Sequence, residues 1–283
     1  MKLHLRTKEL LYWIKERHQI YLKRCAGKPK PWSKDPVFQQ YRFCNVYREL
    51  DVVTCTIRDR WRTPYADDPD LWFAMYVARV FNKPATLQAI GWPLPWPAKR
   101  AKVEATLAAV RAANLRIFNN AYVVSTHGKK ADKIQFYLAL FDALWKVRKE
   151  VRPKPGDTLR TFYERLTAQN GVASFMAGQI IADTKYAAPL SAATDWWTFA
   201  ASGPGSKRGL NWIYGREFKK AWQEDAWYEA LMNLKPSVDV FIAAQGMPSM
   251  HAQDLNNALC ETGKMVKVQQ GWGRPKSKYD GGA

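Results

Sequence analysis

The spacing of apolar residues is the feature that most limits how this chain can fold. From Arg42 to Arg58 the apolar residues recur at steps of three and four, which is the period of one face of an α-helix. The same period returns between breaks rich in proline and glycine, and no convincing strand pair or internal repeat interrupts it. The sequence therefore predicts an all-α fold.

Further helices are expected along the chain, with Asp70 as the N-cap of the second. They cover residues 5–25, 71–81, 98–118, 134–151, 159–167, 172–186, 218–234 and 252–268. A short extended piece is expected at residues 122–125. The loop at residues 90–97, rich in Trp and Pro, either plugs the core or holds an unstacked base.

Three stretches of different character are expected as domains. Residues 1–36 form a basic N-terminal helix and linker, residues 37–268 a helical domain, and residues 269–283 a basic flexible tail. Residues 152–157 hold two prolines and a glycine, so we expect a hinge there between two lobes of the helical domain.

The charge of the chain favours a polyanionic partner. It has 44 Lys and Arg against 25 Asp and Glu, a formal net charge of +19. Nucleic acid is the leading candidate and a membrane surface is second. No apolar run approaches the roughly 18 residues of a membrane span, and no signal-type core follows the N-terminus. We therefore expect a cytosolic protein.

The metal-binding residue types are few and scattered. The four cysteines form no C-x-x-C pair, and the four histidines have no H-x-x-x-H spacing. Neither a disulfide framework, a metal site nor a cofactor is expected. The 13 tryptophans serve either as core residues or as stacking platforms for bases.

Two rows of polar residues are candidates for a site. Asn45, Arg48 and Asp51 lie three apart, beside Val52 and Cys55. Because Val and Cys are rare in the middle of a solvated face, this row either lines a cleft or belongs to an ordinary surface helix.

The second row is in the last predicted helix. Asp254, Asn257, Glu261 and Lys264 share one face of it, while Leu255, Leu259 and Val266 point away. It is either a substrate-binding face or a solvated charged face.

A glycine-rich turn, residues 203–209, separates two helical stretches. Such a turn exposes backbone N–H groups at a helix start, where a phosphate can dock. We expect its phosphate-binding residues to be Gly203, Gly205, Ser206, Lys207 and Arg208. The alternative is a plain helix-breaking turn.

Asp183 follows a packed apolar segment and precedes Lys185. A partly buried carboxylate kept ionised by Lys185 can accept a proton from an amine. Asp183 alternatively caps the next turn, and Asp195 and Asp225 are other candidates for the base.

Three stretches together resemble a family of bacteriophage enzymes. They are the pattern Asn45-x-x-Arg48-Glu49-x-Asp51, residues 201–210 and residues 254–264, in that order. They resemble the α-glutamyl/putrescinyl-thymine pyrophosphorylases, also called amino acid:DNA transferases. That family is related to the helical domain of 5-hydroxymethyluridine DNA kinase and to helix-hairpin-helix DNA glycosylases. Asn256 departs from the family, where an acidic residue is usual.

The resemblance implies a glycosylase-like helical fold with a helix-hairpin-helix-type turn and a reaction on DNA. An amine, either an amino acid such as glycine or a polyamine, displaces pyrophosphate from 5-(pyrophosphoryloxymethyl)uracil in double-stranded DNA. The two polar rows would face each other across the cleft. The protein would act as a monomer in the cytoplasm of the infected bacterial host.

The resemblance also suggests roles for individual residues. Asp183 or Asp51 would be the base, with Asn45 beside the reaction, and Arg48 would bind the carboxylate of an amino acid. The second row would bind substrate: Asp254, Asn257, Glu261 and Lys264. Phosphates would be bound by the cations Lys185, Lys207 and Arg208 and by the backbone of the glycine-rich turn.

Two other classes remain open, a DNA glycosylase acting on a modified base and a non-catalytic phage DNA-binding protein. ATP-dependent phosphorylation is not expected, because no G-x-x-x-x-G-K-[ST] motif occurs in residues 1–283.

Overall fold

The structure is a computed structural model, and it describes residues 6–119, 126, 128, 130–275 and 278. Within these ranges the regular structure is helical, apart from one isolated antiparallel bridge between Tyr41 and Lys278. The predicted all-α fold is confirmed. The predicted extended piece at 122–125 and parts of the predicted tail lie outside the described residues.

Thirteen α-helices are found in the described part of the chain, numbered here in chain order. They are α1 Thr7–Cys25, α2 Pro36–Gln40, α3 Val52–Ile57, α4 Leu71–Phe81, α5 Pro84–Ile90, α6 Trp96–Ala112, α7 Lys133–Lys146, α8 Arg148–Val151, α9 Leu159–Thr167, α10 Ser174–Thr184, α11 Pro204–Ile213, α12 Glu224–Ala244 and α13 Ala252–Gln269. Short 3₁₀ turns lie at Arg48–Leu50 and Leu190–Ala192, and a π-helical turn at Arg58–Arg62.

The chain divides into two compact units. Unit 1 combines residues 1–51 with residues 197–283, and unit 2 is the continuous stretch 52–196. The boundaries therefore differ from the predicted ones at residues 36 and 268. The physical reason is that the apolar face of α1, with Leu10, Trp13 and Ile14, is part of the unit 1 core.

The predicted hinge at residues 152–157 lies inside unit 2, between α8 and α9. Asp157 accepts a hydrogen bond from the backbone N–H of Lys154 and two from the Arg165 guanidinium, each at 2.7 to 2.8 Å. This segment is thus tied to α9 by a charged pair.

In unit 1, α13 is the central helix and packs against α1, α2, α11 and α12. Its residues Leu255, Leu259 and Val266 are fully buried, as their spacing predicts. Since α13 also carries the second polar row, the core of unit 1 fixes the position of that row.

Glycines bring α11 unusually close to α13. A Cβ atom added at Gly209 would lie 2.0 Å from the backbone oxygen of Leu259, and one at Gly205 would lie 2.2 Å from Cys260 Sγ. One at Gly263 would lie 3.3 Å from the backbone nitrogen of Gly209. The glycines of this motif therefore permit contact between two helices.

The predicted turn over residues 203–209 is wrong, because α11 begins at Pro204 and continues through it. Proline at the first helical position has the required φ and lacks only an N–H group that would be unsatisfied there. Ser206 Oγ accepts the backbone N–H of Gly203 at 3.1 Å and completes the helix start. Lys207 and Arg208 consequently lie on a helix.

A second difference concerns the helix predicted at 218–234, because α12 begins at Glu224 and continues through Pro236 to Ala244. Leu234, Val238 and Ile242 are all buried at a spacing of four. Burial of this continuous stripe outweighs the hydrogen bond that proline removes. The predicted helix at 134–151 is instead divided into α7 and α8.

In unit 2, every residue of α4 is buried. It packs against α5, α7 and α10 within a cluster of aromatic rings. Trp96 from the loop rich in Trp and Pro is buried in that cluster, 5.8 Å from the Phe73 ring. Trp92 instead stacks on Tyr65, with ring centroids 3.9 Å apart.

The close packing of α11 on α13 predicts a large effect of one methyl group. We expect Gly209→Ala to lower the free energy of unfolding by at least about 2 kcal/mol, because a backbone oxygen blocks the new Cβ. Denaturant unfolding measures the loss.

Gly203→Ala is the matched control in the same motif, since a Cβ there meets nothing within 4 Å. It should cost no more than about 1 kcal/mol. Equal stability of Gly209→Ala and wild type would contradict the packing.

Candidate functional site

The first polar row lies in a loop. The helix predicted over residues 42–58 is wrong for its first half, which is irregular except for the 3₁₀ turn, and a helix begins only at Val52. The apolar residues Phe43, Val46 and Tyr47 are nevertheless buried in the unit 1 core. We call residues 44–51 the polar loop.

Two carboxylates of α13 hold the backbone of the polar loop. Glu261 Oε2 accepts the N–H of Cys44 at 3.2 Å, and Asp254 Oδ1 accepts the N–H of Arg48 at 3.0 Å. Because these N–H groups are bonded to side chains from the other end of the chain, they do not form helical hydrogen bonds. The structure thus brings the two polar rows into direct contact.

A third carboxylate closes the loop on itself. Asp51 Oδ1 accepts the N–H of Asn45 at 2.8 Å, and the Asn45 side chain donates to the backbone oxygen of Leu50 at 2.7 Å. Asn45 is buried. These contacts give Asn45 and Asp51 a role in fixing the conformation of the loop.

The Asp51 carboxyl has a raised pKa. Burial raises it, while the Asn45 N–H and the charges of Arg48 and Arg17 act in the opposite direction. The Asp51 residue is only partly buried. A partly accessible carboxyl with a raised pKa is a better proton acceptor at neutral pH than an ordinary aspartate.

The second oxygens of the two α13 carboxylates also have partners. Asp254 Oδ2 lies 3.1 Å from His251 Nε2, and Glu261 Oε1 binds the Lys264 ammonium. Burial opposes the charge on Lys264, but Glu261 outweighs it and raises the pKa of that ammonium. Lys264 is therefore a cation at all physiological pH values.

Two cysteines lie beside this cluster and are not suited to be nucleophiles. Burial raises the pKa of Cys260 to about 11, and Glu261 acts in the same direction. The pKa of Cys44 is raised well above its ordinary value by the same causes. Since the thiolate is the reactive form, both side chains are inert at neutral pH.

The second polar row divides into a buried part and an accessible part. Asp254 and Glu261 are buried, whereas Asn257 is partly exposed and Lys264 is exposed. Arg208 on α11 is also exposed. The accessible part of the row therefore offers one amide and one cation. Arg208 on α11 adds a second cation.

The start of α11 is occupied by contacts within the protein. Lys207 Nζ lies 3.1 Å from Glu224 Oε2, which also accepts the hydroxyl of Ser202 at 2.6 Å. Burial opposes the negative charge of Glu224, but these partners lower its pKa. Of the two adjacent cations, Arg208 is the more accessible.

Asp183 in unit 2 is fully buried and lies against a cation that the sequence did not single out. The Arg79 guanidinium donates to both of its oxygens, at 2.5 and 2.6 Å. Arg79 also donates to Asn82 and Thr54, each at 3.0 Å. An arginine in the otherwise apolar helix α4 was the signal that could have identified this partner.

Lys185 is fully buried too. Its ammonium lies 4.0 Å above the Trp196 ring and 5.5 Å from the Tyr186 ring, within the range of cation–π attraction. In this conformation neither Asp183 nor Lys185 contacts solvent, so neither can touch a substrate. The roles predicted for them require another conformation.

The other candidate carboxylates stabilise helix starts. Asp195 accepts the N–H groups of Leu159 and Arg160, at 2.7 and 2.9 Å, and so caps α9. Asp225 lies in the first turn of α12, where a negative charge is favourable.

Among the described residues, no group of three or more His, Cys, Asp or Glu could hold a metal ion. None of the described helices is both long and apolar enough to span a membrane.

Comparisons with known proteins agree on one family. The family described as "5-hmdU DNA kinase, helical domain" matches residues 5–273. A protein of Bacillus phage SP10 named 5-hmdU DNA kinase is 28% identical over 236 residues, which are 72% of this chain and 36% of that protein. The chain thus spans about a third of the length of this curated relative. No solved structure matches significantly.

The raised pKa of Asp51 predicts a pH-dependent effect of Asp51→Asn. The amide keeps an acceptor for the Asn45 N–H but carries no charge. A raised native pKa means that wild type loses stability as the pH rises through it, from about pH 4 upward. The variant should therefore gain stability relative to wild type between acid and neutral pH, as measured by urea unfolding at several pH values.

Asp59→Asn is the control, because the Arg58 hydrogen bond lowers the pKa of the exposed Asp59. It should show no such gain. An Asp51→Asn variant whose relative stability is constant or falls with pH would contradict the assignment.

The buried pair of Arg79 and Asp183 predicts a large loss of stability when one partner is removed. Asp183→Asn leaves a buried guanidinium without its counter-charge, which costs about 3–5 kcal/mol. Replacing both residues by Leu should recover at least half of that loss, since no unpaired charge remains. Thermal and denaturant unfolding of both variants measure this, and a single variant as stable as wild type would refute it.

Proposed function

Since the chain belongs to the family of 5-hmdU DNA kinase helical domains, we propose that it is a phage enzyme of thymine hypermodification in DNA. The reaction proposed is transfer of an amine, preferably an amino acid, to 5-(pyrophosphoryloxymethyl)uracil. This is the reaction of the α-glutamyl/putrescinyl-thymine pyrophosphorylases that the chain resembles. The proposal keeps a glycosylase-like, base-extruding mode of action.

One observation carries the proposal: the polar loop and the second polar row meet through hydrogen bonds to Asp254 and Glu261. Residues about 200 positions apart thereby form one cluster that presents a carboxyl, an amide and cations. Such a combination matches a reaction in which an amine loses a proton and an anion leaves.

Asp51 is proposed to be the base that accepts the proton of the amine. The amine nitrogen forms a bond to the exocyclic methylene carbon, and the bond from that carbon to the pyrophosphate oxygen breaks. Pyrophosphate leaves with the electron pair, and the proton of the amine passes to Asp51. Its raised pKa favours this transfer.

Arg48 is proposed to bind the carboxylate of the amino acid. Its backbone N–H is held by Asp254, so the backbone of this residue has a fixed position, and the residue is partly exposed. A guanidinium can bind a carboxylate with two parallel hydrogen bonds. A polyamine would be repelled by the same charge.

Lys264 and Arg208 are proposed to stabilise the departing pyrophosphate, with Asn257 as a hydrogen-bonding partner of the substrate. Lys264 and Arg208 are exposed, and Lys264 is also bound by Glu261, whereas Lys207 is only partly exposed and is bound by Glu224. Cations that face the developing charge lower the barrier to departure. At the start of α11 the N–H of Gly203 is bonded to Ser206 Oγ, so the N–H groups proposed to meet a phosphate are those of Gly205 and Ser206, on the same helix as Arg208.

A second candidate is a substrate-recognition module for phosphorylation of 5-hmdU in DNA. It is favoured by the match to only about a third of a protein named 5-hmdU DNA kinase. In that case the polar cluster would bind the modified base, and the phosphoryl transfer would be performed by a kinase.

Incubating the protein with pyrophosphorylated DNA and glycine separates these functions. Release of pyrophosphate with a heavier nucleoside supports transfer. Abasic sites would indicate a glycosylase, and binding without chemistry would indicate recognition or a non-catalytic DNA-binding protein. Asp51→Asn should abolish transfer, whereas Asp59→Asn should not.

The proposed role of Arg48 predicts a change in the use of the amino acid. Arg48→Lys should raise the amino acid concentration needed for half-maximal transfer about tenfold or more, because a bidentate contact in the bound state is lost. The fold should persist, because the backbone contact to Asp254 is unchanged. Transfer rates against glycine concentration measure the effect.

Arg42→Lys is the matched control, an exposed arginine six positions earlier. It should leave the concentration dependence unchanged. Equal kinetics of Arg48→Lys and wild type, or a wild type that prefers putrescine to every amino acid, would refute this role.

A further inference from the structure

We propose that one surface of unit 1 binds the sugar–phosphate backbone of DNA. It consists of the exposed side of α1 and residues 26–35, and we call it the basic strap. The inference rests on the proposed function only for the choice of DNA as the polyanion, and it adds the place where the DNA docks.

Exposed cations are dense on the basic strap. Seven of them are exposed: Lys8, Lys15, Lys23, Arg24, Lys28, Lys30 and Lys34. Three acidic residues lie on the same segment, Glu9, Glu16 and Asp35, so the exposed cations outnumber them by seven to three. The surface is therefore strongly positive.

Trp32 holds residues 26–35 against α1. The Arg24 guanidinium lies 5.4 Å and the Lys30 ammonium 5.2 Å from its ring centroid. Its indole N–H donates to the backbone oxygen of Lys28 at 2.7 Å, and its own oxygen accepts from Lys23 Nζ at 2.6 Å. Since the backbone is already fixed, binding a polyanion costs little ordering of the strap.

The dimensions suit a duplex. The 19 residues of α1 extend about 28 Å. Over that length double-stranded DNA carries about 16 phosphate charges, one per roughly 1.7 Å of axis. Cations spread along the basic strap can thus each meet a phosphate.

A membrane surface fits less well than DNA. A helix that binds a membrane inserts an apolar face between the head groups. The apolar face of α1, with Leu10, Trp13, Ile14 and Ile20, is buried in the unit 1 core. The exposed side of α1 has charged residues and only scattered apolar ones, such as Leu22, so it has no apolar face to insert into a membrane.

The test compares two variants that each lose four positive charges in the full-length chain. The strap variant changes four lysines to Gln: Lys8, Lys15, Lys28 and Lys34. It spares Arg24 and Lys30, which pack on Trp32. The control variant changes four exposed lysines of unit 2 to Gln: Lys102, Lys146, Lys149 and Lys154.

Binding to an unmodified DNA duplex is measured across a range of salt concentrations. Each phosphate contact contributes about −0.9 to the slope of log affinity against log salt. The slope of the strap variant should shrink in magnitude by about 3 to 4, and its affinity should fall at least about 100-fold near physiological salt. The control variant should retain a slope within about one contact of wild type.

Equal losses in both variants, or none in the strap variant, would overturn the inference. So would a strap variant that keeps its DNA affinity but no longer binds vesicles containing phosphatidylserine. These outcomes do not depend on transfer. If wild type lacks transfer activity while the strap variant loses DNA affinity, the proposed function fails and the docking surface stands.

Discussion

The hydrogen bonds from the α13 carboxylates to the polar loop are the interactions on which the candidate site depends. Burying Asp254 and Glu261 is unfavourable unless each charge gains partners. The structure supplies them, since each carboxylate accepts one backbone N–H and has a basic side chain at its other oxygen. A charged hydrogen bond of this kind is stronger than a neutral one, so the loop is held firmly. The polar rows are functional candidates because this arrangement also fixes the backbone from which the Arg48 side chain extends.

The position of α13 in turn depends on three glycines. A Cβ atom at Gly209 or Gly205 would overlap Leu259 or Cys260 of α13, and one at Gly263 would contact α11 tightly. This contact places Arg208 on the helix adjacent to Lys264. The glycine-rich motif thus has a packing role, and its charged residues gain their position from that packing.

Local patterns in the sequence predicted much of the fold. Helices α4, α9 and α13 have their predicted bounds within one or two residues, because the apolar pattern between helix breaks is a local signal. Asp70 precedes α4 as predicted, but its side chain accepts no capping hydrogen bond there. The apolar residues Phe43, Val46 and Tyr47 beside the first polar row are buried, as their spacing predicts. Their conformation was not predictable, because the N–H groups of Cys44 and Arg48 bond to residues more than 200 positions away. A period of three and four is therefore consistent with a helix but does not prove one.

Two other misjudgements have similar physical origins. Glycines in residues 203–209 were interpreted as a turn, but their use depends on the helix they face, which only the tertiary structure shows. Arg79 was passed over because it lies in an apolar helix, although Asp183 is its partner 104 positions away. The resemblance to a family implied that the polar rows face each other across a cleft, whereas the structure joins them directly. The hydrogen bonds that join them were not predicted.

The central claim is that Asp254 and Glu261 hold the polar loop through its backbone, and residue-resolved amide hydrogen exchange tests it directly. In wild type the amides of Cys44, Asn45 and Arg48 should be protected. Glu261→Ala should remove protection at Cys44, Asp254→Ala should remove it at Arg48, and Asn45, held by Asp51, should stay protected in both. Unprotected amides in wild type, or protection that neither variant changes, would contradict the account.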